Sequence, residues 1–146
     1  VSALTAADRV VLADVVDTVV SVEHVSAAVA TDQDGAVVTF AGVVRDHDGG
    51  KGVTALGYER HPSAGDVIAE VARSIAADHP GVRIAVLHRV GDLVVGDVAL
   101  AAAVSSPHRA EAFAACAALI DLVKERTPIW KHQEFTDGSD EWVASL

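Results

Sequence analysis

Three lysines are present in 146 residues, and two of them flank a proline in the stretch "KERTPIWK", where Lys124 and Lys131 stand at either end. A lysine held in a partly desolvated place beside other cations gives up its proton more readily and becomes a nucleophile or a proton carrier. Both lysines are anchored, one at the end of a predicted helix and the other after a stiff Pro-Ile-Trp segment. A second cation pair, His108 and Arg109, stands in "SSPHRAEAF". The expected helix start there already presents free N–H groups and the positive end of a dipole to an anion. Cations at that end work against helix stability, and a local rule broken in this way points to function. Arg45 leaves a valine-rich strand just before a glycine-rich loop and is a third candidate for holding an anion.

The background sharpens this pattern. Asp and Glu number 21 against 11 Lys and Arg, for a net charge of −10. Such a chain repels nucleic acid unless it carries a basic stripe, and none is present. Clustered Arg, His and Lys in so negative a field are a means of holding an anion. Other site chemistries are absent from the pattern. "GGKG" at 49–52 lacks both the glycine a phosphate loop needs at 45 and the Ser or Thr it needs at 52, and there is no GxGxxG. The seven histidines form no HxxxH pair and no HExxH helix, so no metal and no cofactor are expected. The single cysteine, Cys116, excludes an internal disulfide and falls on the apolar face of a helix as a core residue. No apolar run approaches the roughly 18 residues of a membrane span, and the first 16 residues lack the basic start and apolar block of a signal peptide. The expectation is a cytoplasmic protein without a membrane partner.

These residues need elements to position them. Residues 1–146 suit one domain, with 51% hydrophobic residues to fill a core. The first 20 residues are ambiguous, with a capping-box look at Thr5 to Asp8 but a valine content that favours strand. Ser21 suits the cap of a short helix reaching Ala30, and "TDQDG" a turn. Strands are expected at 36–44 and 53–59, joined as a hairpin by the long loop 45–52. Ser63 is expected to open a helix with the apolar stripe Val67, Ile68, Val71, Ala72 and Ile75, stopped by "HPG" at 79–81. A strand follows at 82–90, then a turn at Gly91 and Asp92, then one interrupted strand or two short ones over 93–106. Ser106 and Pro107 suit the cap and first turn of a helix to about Arg126, with Phe113, Cys116, Leu119, Ile120 and Val123 on its apolar face. Pro128 forces Thr127 toward extended geometry and ends that helix. A turn and a short tail follow from 136. Strands and helices do not alternate strictly, which predicts an α+β fold with mainly antiparallel sheet.

One distance constrains the site. Arg109 and Lys124 lie 15 residues apart on one helix, or about 22 Å at 1.5 Å per residue. One small ligand cannot touch both ends of that rod, so a second copy of the chain is expected to supply one of them in a symmetric dimer.

Four segments then stand in a recognisable order: "GAVVTFAGVVRDHDGG", "HRVGDLVVGD", "HRAEAFAACAALIDLVKERTPIWK" and "DGSDEW". Over about residues 35–143 the chain resembles the large, catalytic subunit of molybdopterin synthase, the MoaE family. The resemblance implies an α/β hammerhead fold and a homodimer, with a small ubiquitin-like (MoaD-like) sulfur-carrier subunit at each end. It implies that the carrier's C-terminal Gly-Gly thiocarboxylate enters a pocket and passes sulfur to cyclic pyranopterin monophosphate, two transfers making the dithiolene of molybdopterin. By the same resemblance Lys124 and Lys131 are the active-site lysines, with Lys124 nearest the chemistry. His108 and Arg109 would form an anion site reached from the neighbouring protomer, and Arg45 would bind phosphate or pterin. The family usually shows a basic residue and then Glu after the second lysine; here His132 and Gln133 follow. Two other readings of the residues stand beside this one. A non-catalytic paralogue would dock a Gly-Gly-tailed partner without turnover. An unrelated Schiff-base lysine enzyme would need no protein partner.

Overall fold

A computed structural model describes residues 4–144. The ambiguous start resolves into both of its readings. Thr5 caps a single turn, α1 (Ala6–Arg9), by a reciprocal pair of hydrogen bonds with Asp8, and β1 (Val10–Val16) follows at once. Ser21 caps α2 (Val22–Val29), its hydroxyl accepting from the His24 N–H. β2 (Ala36–Val43) comes next, then the two-residue β3 (His47–Asp48) and the long β4 (Lys51–Arg60). α3 (Ala64–Asp78), β5 (Arg83–Arg89), β6 (Gly91–Leu93), β7 (Val98–Ser106), α4 (Arg109–Arg126), β8 (Ile129–Phe135) and β9 (Asp140–Ala144) complete the order.

The strands divide between two sheets. The first has the order β1-β5-β7-β2, with β1 parallel to β5 and the other pairs antiparallel. Successive side chains of a strand point to opposite faces. Ile84, Val86, Leu100, Ala102 and Val104 therefore face α3 and α4, while Ala85, Leu87, Ala101 and Ala103 face α2. Covering on both faces is why β7 is a nearly unbroken apolar run. The second sheet is antiparallel, β3-β4-β8-β9, with β6 also pairing with β4. Arg9 ties the start of β1 to the end of α3 by donating to the carbonyls of Ala76, His79 and Val82 at 2.8, 3.1 and 2.9 Å, supplying donors to a helix end that lacks them.

Several expectations need correction. β2 and β4 are not a hairpin: β2 pairs with β7 and β4 with β8, so residues 44–46 cross from one sheet to the other. The turn signal itself was real but serves a smaller unit. Gly49 and Gly50, with φ of 58° and 81°, make the two-residue turn between β3 and β4 that only residues tolerant of positive φ can form. Gly91 and Asp92 are not a turn but the start of β6, paired with Gly57 and Tyr58. Ser106 does not cap α4. It is the last residue of β7, opposite Ala36, and its hydroxyl binds His108 backbone atoms, so the cap position moves to His108. Ser63 holds its cap position, but its hydroxyl pairs with the His61 ring and makes no cap bond. Phe113 is 61% exposed; the face of α4 that packs consists of Ala112, Ala115, Cys116, Leu119, Ile120 and Val123. So many alanines surround Phe113 that apolar periodicity does not single out a face there. The short tail beyond the 136–139 turn forms a strand, β9.

Candidate active site

Three elements bring three cations to one cleft. Arg45 follows β2, whose pairing with β7 shifts register between Gly42 and Val43 and is carried one residue further by Val44, bonded to Gly96 and Asp97, before the chain crosses to the second sheet. Lys124 lies in the last turn of α4, where the helix dipole favours a cation. Thr127, before Pro128, adopts an extended conformation (φ −72°, ψ 119°), the helix stops, and β8 begins at Ile129. β8 runs back along β4 and sets Lys131 opposite Tyr58. Lys131 shares a strand face with Ile129, Gln133 and Phe135, all buried, so it points inward with them. The resulting cleft has a volume of about 400 Å³ and is lined by Gly42, Val43, Arg45, Tyr58, His88, Ala99, Leu100, Lys124 and Lys131. Arg45, Tyr58 and Lys131 also line an adjoining recess of about 70 Å³ with Asp48 and Gln133.

This recess contains a clamp not foreseen in the sequence. Gln133 is 3% exposed, and its side-chain NH₂ donates both hydrogens, to Asp48 Oδ2 at 2.7 Å and to Glu141 Oε1 at 2.9 Å. Asp48 in turn meets Arg45 at 3.5 Å. The Gln133 hydrogen bond, aided by the charges of Lys131 and Arg45 against the cost of desolvation, holds the Asp48 carboxyl below its usual range. A neutral amide thus joins two carboxylates that would repel any acid placed between them.

The floor of the cleft holds a second unforeseen group, His88. It is fully buried on β5 and meets Tyr58 edge-on, with ring centroids 5.1 Å apart at 78°. Burial, with the nearby Lys124 charge adding and a hydrogen bond to the Arg89 carbonyl opposing, pushes its pKa down to about 4. The imidazole is therefore neutral at pH 7. Burial likewise pushes the Tyr58 hydroxyl up. The sequence did carry a signal for His88, a lone polar residue inside "RIAVLHR".

The other cations stand apart. His108 and Arg109 are exposed at the far end of α4, in a separate cleft of about 430 Å³ with Gly35, Ala36, Pro107 and Ala110. One chain does not bring them to the lysines. The third lysine, Lys51, lies 3.6 Å from Asp137 and 5.1 Å above the Phe135 ring, where it ties the β3–β4 turn to the turn before β9. Cys116 is buried and its thiol is raised by burial, as suits a core residue. Among the described residues no three His, Cys, Asp or Glu side chains cluster to hold a metal ion, and no helix is long and apolar enough to cross a membrane.

A half-open cleft with Arg and Lys side chains from separate parts of the chain suits a phosphorylated or carboxylate-bearing ligand, with an amine available for nucleophilic or proton-transfer chemistry. Relatives with this architecture are known. "Molybdopterin synthase catalytic subunit 1" of Mycobacterium tuberculosis is 44% identical over 131 residues, covering 87% of this chain and 86% of that protein. The crystal structure of molybdopterin synthase from Staphylococcus aureus superposes with a TM-score of 0.84 at 33% identity, covering 90% of this chain and 96% of that one. A chain in a complex of subunits 1 and 2 of molybdopterin-converting factor from Helicobacter pylori shares the fold, with a TM-score of 0.63 at 17% identity over 90% of this chain and 88% of that one. The family model described as "MoaE protein" matches residues 15–126, a span that takes in Arg45, His88, His108, Arg109 and Lys124, and the chain belongs to that family.

Proposed function

We propose that this chain is the catalytic subunit of a cytoplasmic molybdopterin synthase. It transfers sulfur from the C-terminal thiocarboxylate of a small ubiquitin-like subunit to cyclic pyranopterin monophosphate, forming the dithiolene of molybdopterin. The observation that carries this reading is the meeting of Arg45, Lys124 and Lys131, from three separate elements, in one cleft of an otherwise acidic protein. Both reactants are anionic. Arg45 offers a planar fork to the phosphate, and Lys131 adds a point charge on the facing wall. Lys124 is the lysine at the reacting centre, where its ammonium stabilises the negative charge that develops on the carbonyl oxygen during sulfur transfer.

The site is completed by a second copy. β2 is an edge strand of the first sheet and exposes Val37 and Val43. Its start lies beside Pro107 and its end leads to Arg45. Pairing β2 with its own copy about a two-fold axis sets the start of one strand against the end of the other. That arrangement carries His108 and Arg109 of one protomer toward the lysine cleft of its partner, and resolves the separation of about 22 Å along α4.

The experiment combines this chain with a thiocarboxylated Gly-Gly-tailed subunit and cyclic pyranopterin monophosphate, and measures dithiolene formation. Product is expected from the native chain and not from Lys124→Ala, which still binds the carrier. Carrier binding without product from the native chain would identify a non-catalytic paralogue instead. An imine trapped by borohydride on a free carbonyl substrate, with no carrier needed, would mark an unrelated lysine enzyme.

A further inference from the structure

His88 has a chemical state that its surroundings fix. Nδ1 lies 2.8 Å from the carbonyl oxygen of Arg89, and a carbonyl can only accept, so Nδ1 carries the hydrogen. Nε2 is then a bare lone pair. It is buried and has no hydrogen-bond partner among the described residues. An apolar side chain would fill the same space without leaving an acceptor unmet, and every other fully buried position on β5 is apolar. The ring shares its strand face with Ile84 and Val86, which look toward the side of the sheet that α3 and α4 cover, and it lies in the cleft wall that Lys124 also lines. His88 is 0% exposed, so substrate cannot reach it without displacing what covers it. Lys124 is the side chain whose charge bears on it.

We propose that His88 is a positioning residue for Lys124. When the cleft fills and water leaves, the Nε2 lone pair accepts a hydrogen bond from the Lys124 ammonium and holds its remaining N–H groups toward the oxygen of the reacting carbonyl. Nothing is transferred to the imidazole; its Nδ1 hydrogen stays on the Arg89 carbonyl, and that bond keeps the acceptor correctly turned. Misdirection of a reacting group by a fraction of an ångström lowers turnover more than binding. The proposal rests on the reading of this cleft as the sulfur-transfer site.

Two measurements test it. Steady-state kinetics of the reconstituted synthase compare the native chain with His88→Leu and His88→Gln. His88→Leu is expected to lower kcat about tenfold or more while KM stays within about threefold, and His88→Gln, which returns an acceptor, to recover part of the loss. Equal kcat for the native chain and a folded His88→Leu overturns the proposal. No product from the native chain overturns the functional reading and leaves the second measurement to decide. That measurement uses the native protein labelled with ¹⁵N-histidine and a Gly-Gly-tailed carrier in its carboxylate form. Carrier addition is expected to shift the His88 Nε2 resonance toward its hydrogen-bonded position, with Nδ1 unmoved, and not to do so in Lys124→Ala. An Nε2 resonance that stays in place with carrier bound to the native protein overturns the proposal.

Discussion

The two ends of α4 carry cations in opposite ways. At its C-terminus Lys124 sits with the helix dipole and shares a cleft with Arg45 and Lys131, which come from other parts of the chain. At its N-terminus His108 and Arg109 sit against the dipole, exposed, in a shallow cleft supplied mostly by their own loop. The first end is a site floor built within one chain. The second is an exposed cation pair whose charges oppose the dipole of their own helix. The difference shows how one rigid helix can hold cations at both ends, about 22 Å apart, in unlike surroundings.

Lys124→Ala should break the first end outright. Dithiolene formation is expected to fall by about a hundredfold or more, with carrier binding retained by titration. Arg109→Ala should disable the second end, and mixing tests whether the two ends belong together. If Arg109 serves the partner's cleft, exchanging subunits between Lys124→Ala and Arg109→Ala dimers creates one intact site in half of the dimers. Activity should then recover to about a quarter of native. No recovery, with exchange confirmed by mass, would place both ends in unrelated roles.

Gln133→Glu sharpens the comparison from inside the first cleft. It sets a carboxyl between Asp48 and Glu141 and should cost on the order of 2 kcal/mol at pH 7. The sign follows from linkage. Like charges raise the folded pKa of the new acid above its unfolded value near 4.3. The penalty is therefore absent at low pH and develops as pH rises through the folded pKa. Native Asp48 behaves oppositely. Its folded pKa is lowered, so its contribution is present above the unfolded value and lost as pH falls through the folded one. Melting temperatures of native and variant should converge near pH 4 and separate toward pH 8. The smallest effect belongs to Lys51→Met. Its pair with Asp137 is exposed and screened by solvent, so the melting temperature should barely move and turnover should be unchanged, which would set this lysine apart from the other two.

Much of the first end is legible in the sequence because it rests on local rules. Pro128 restricts Thr127 and ends the helix, and strand alternation turns Lys131 inward. These act over a few residues and need no knowledge of the rest of the chain. The same local reading failed for the strand after Arg45. The glycines did mark a turn, but which strands pair depends on what surfaces can be buried together, and β7 was the better partner for β2.

The clamp and the buried imidazole lay further out of reach. Gln133 meets Asp48 across 85 positions of sequence, and no pattern within either segment announces the other. His88 stood out as a polar residue in an apolar strand, but only the packing of α4 across β7 and β2 of the same sheet brought Lys124 to the cleft that His88 lines. The sequence by itself determined where the chain must stop, turn and alternate, since backbone sterics and periodicity are properties of neighbours. The tertiary structure alone decided which distant side chains share a cleft, because that is settled by the joint burial of surfaces far apart along the chain.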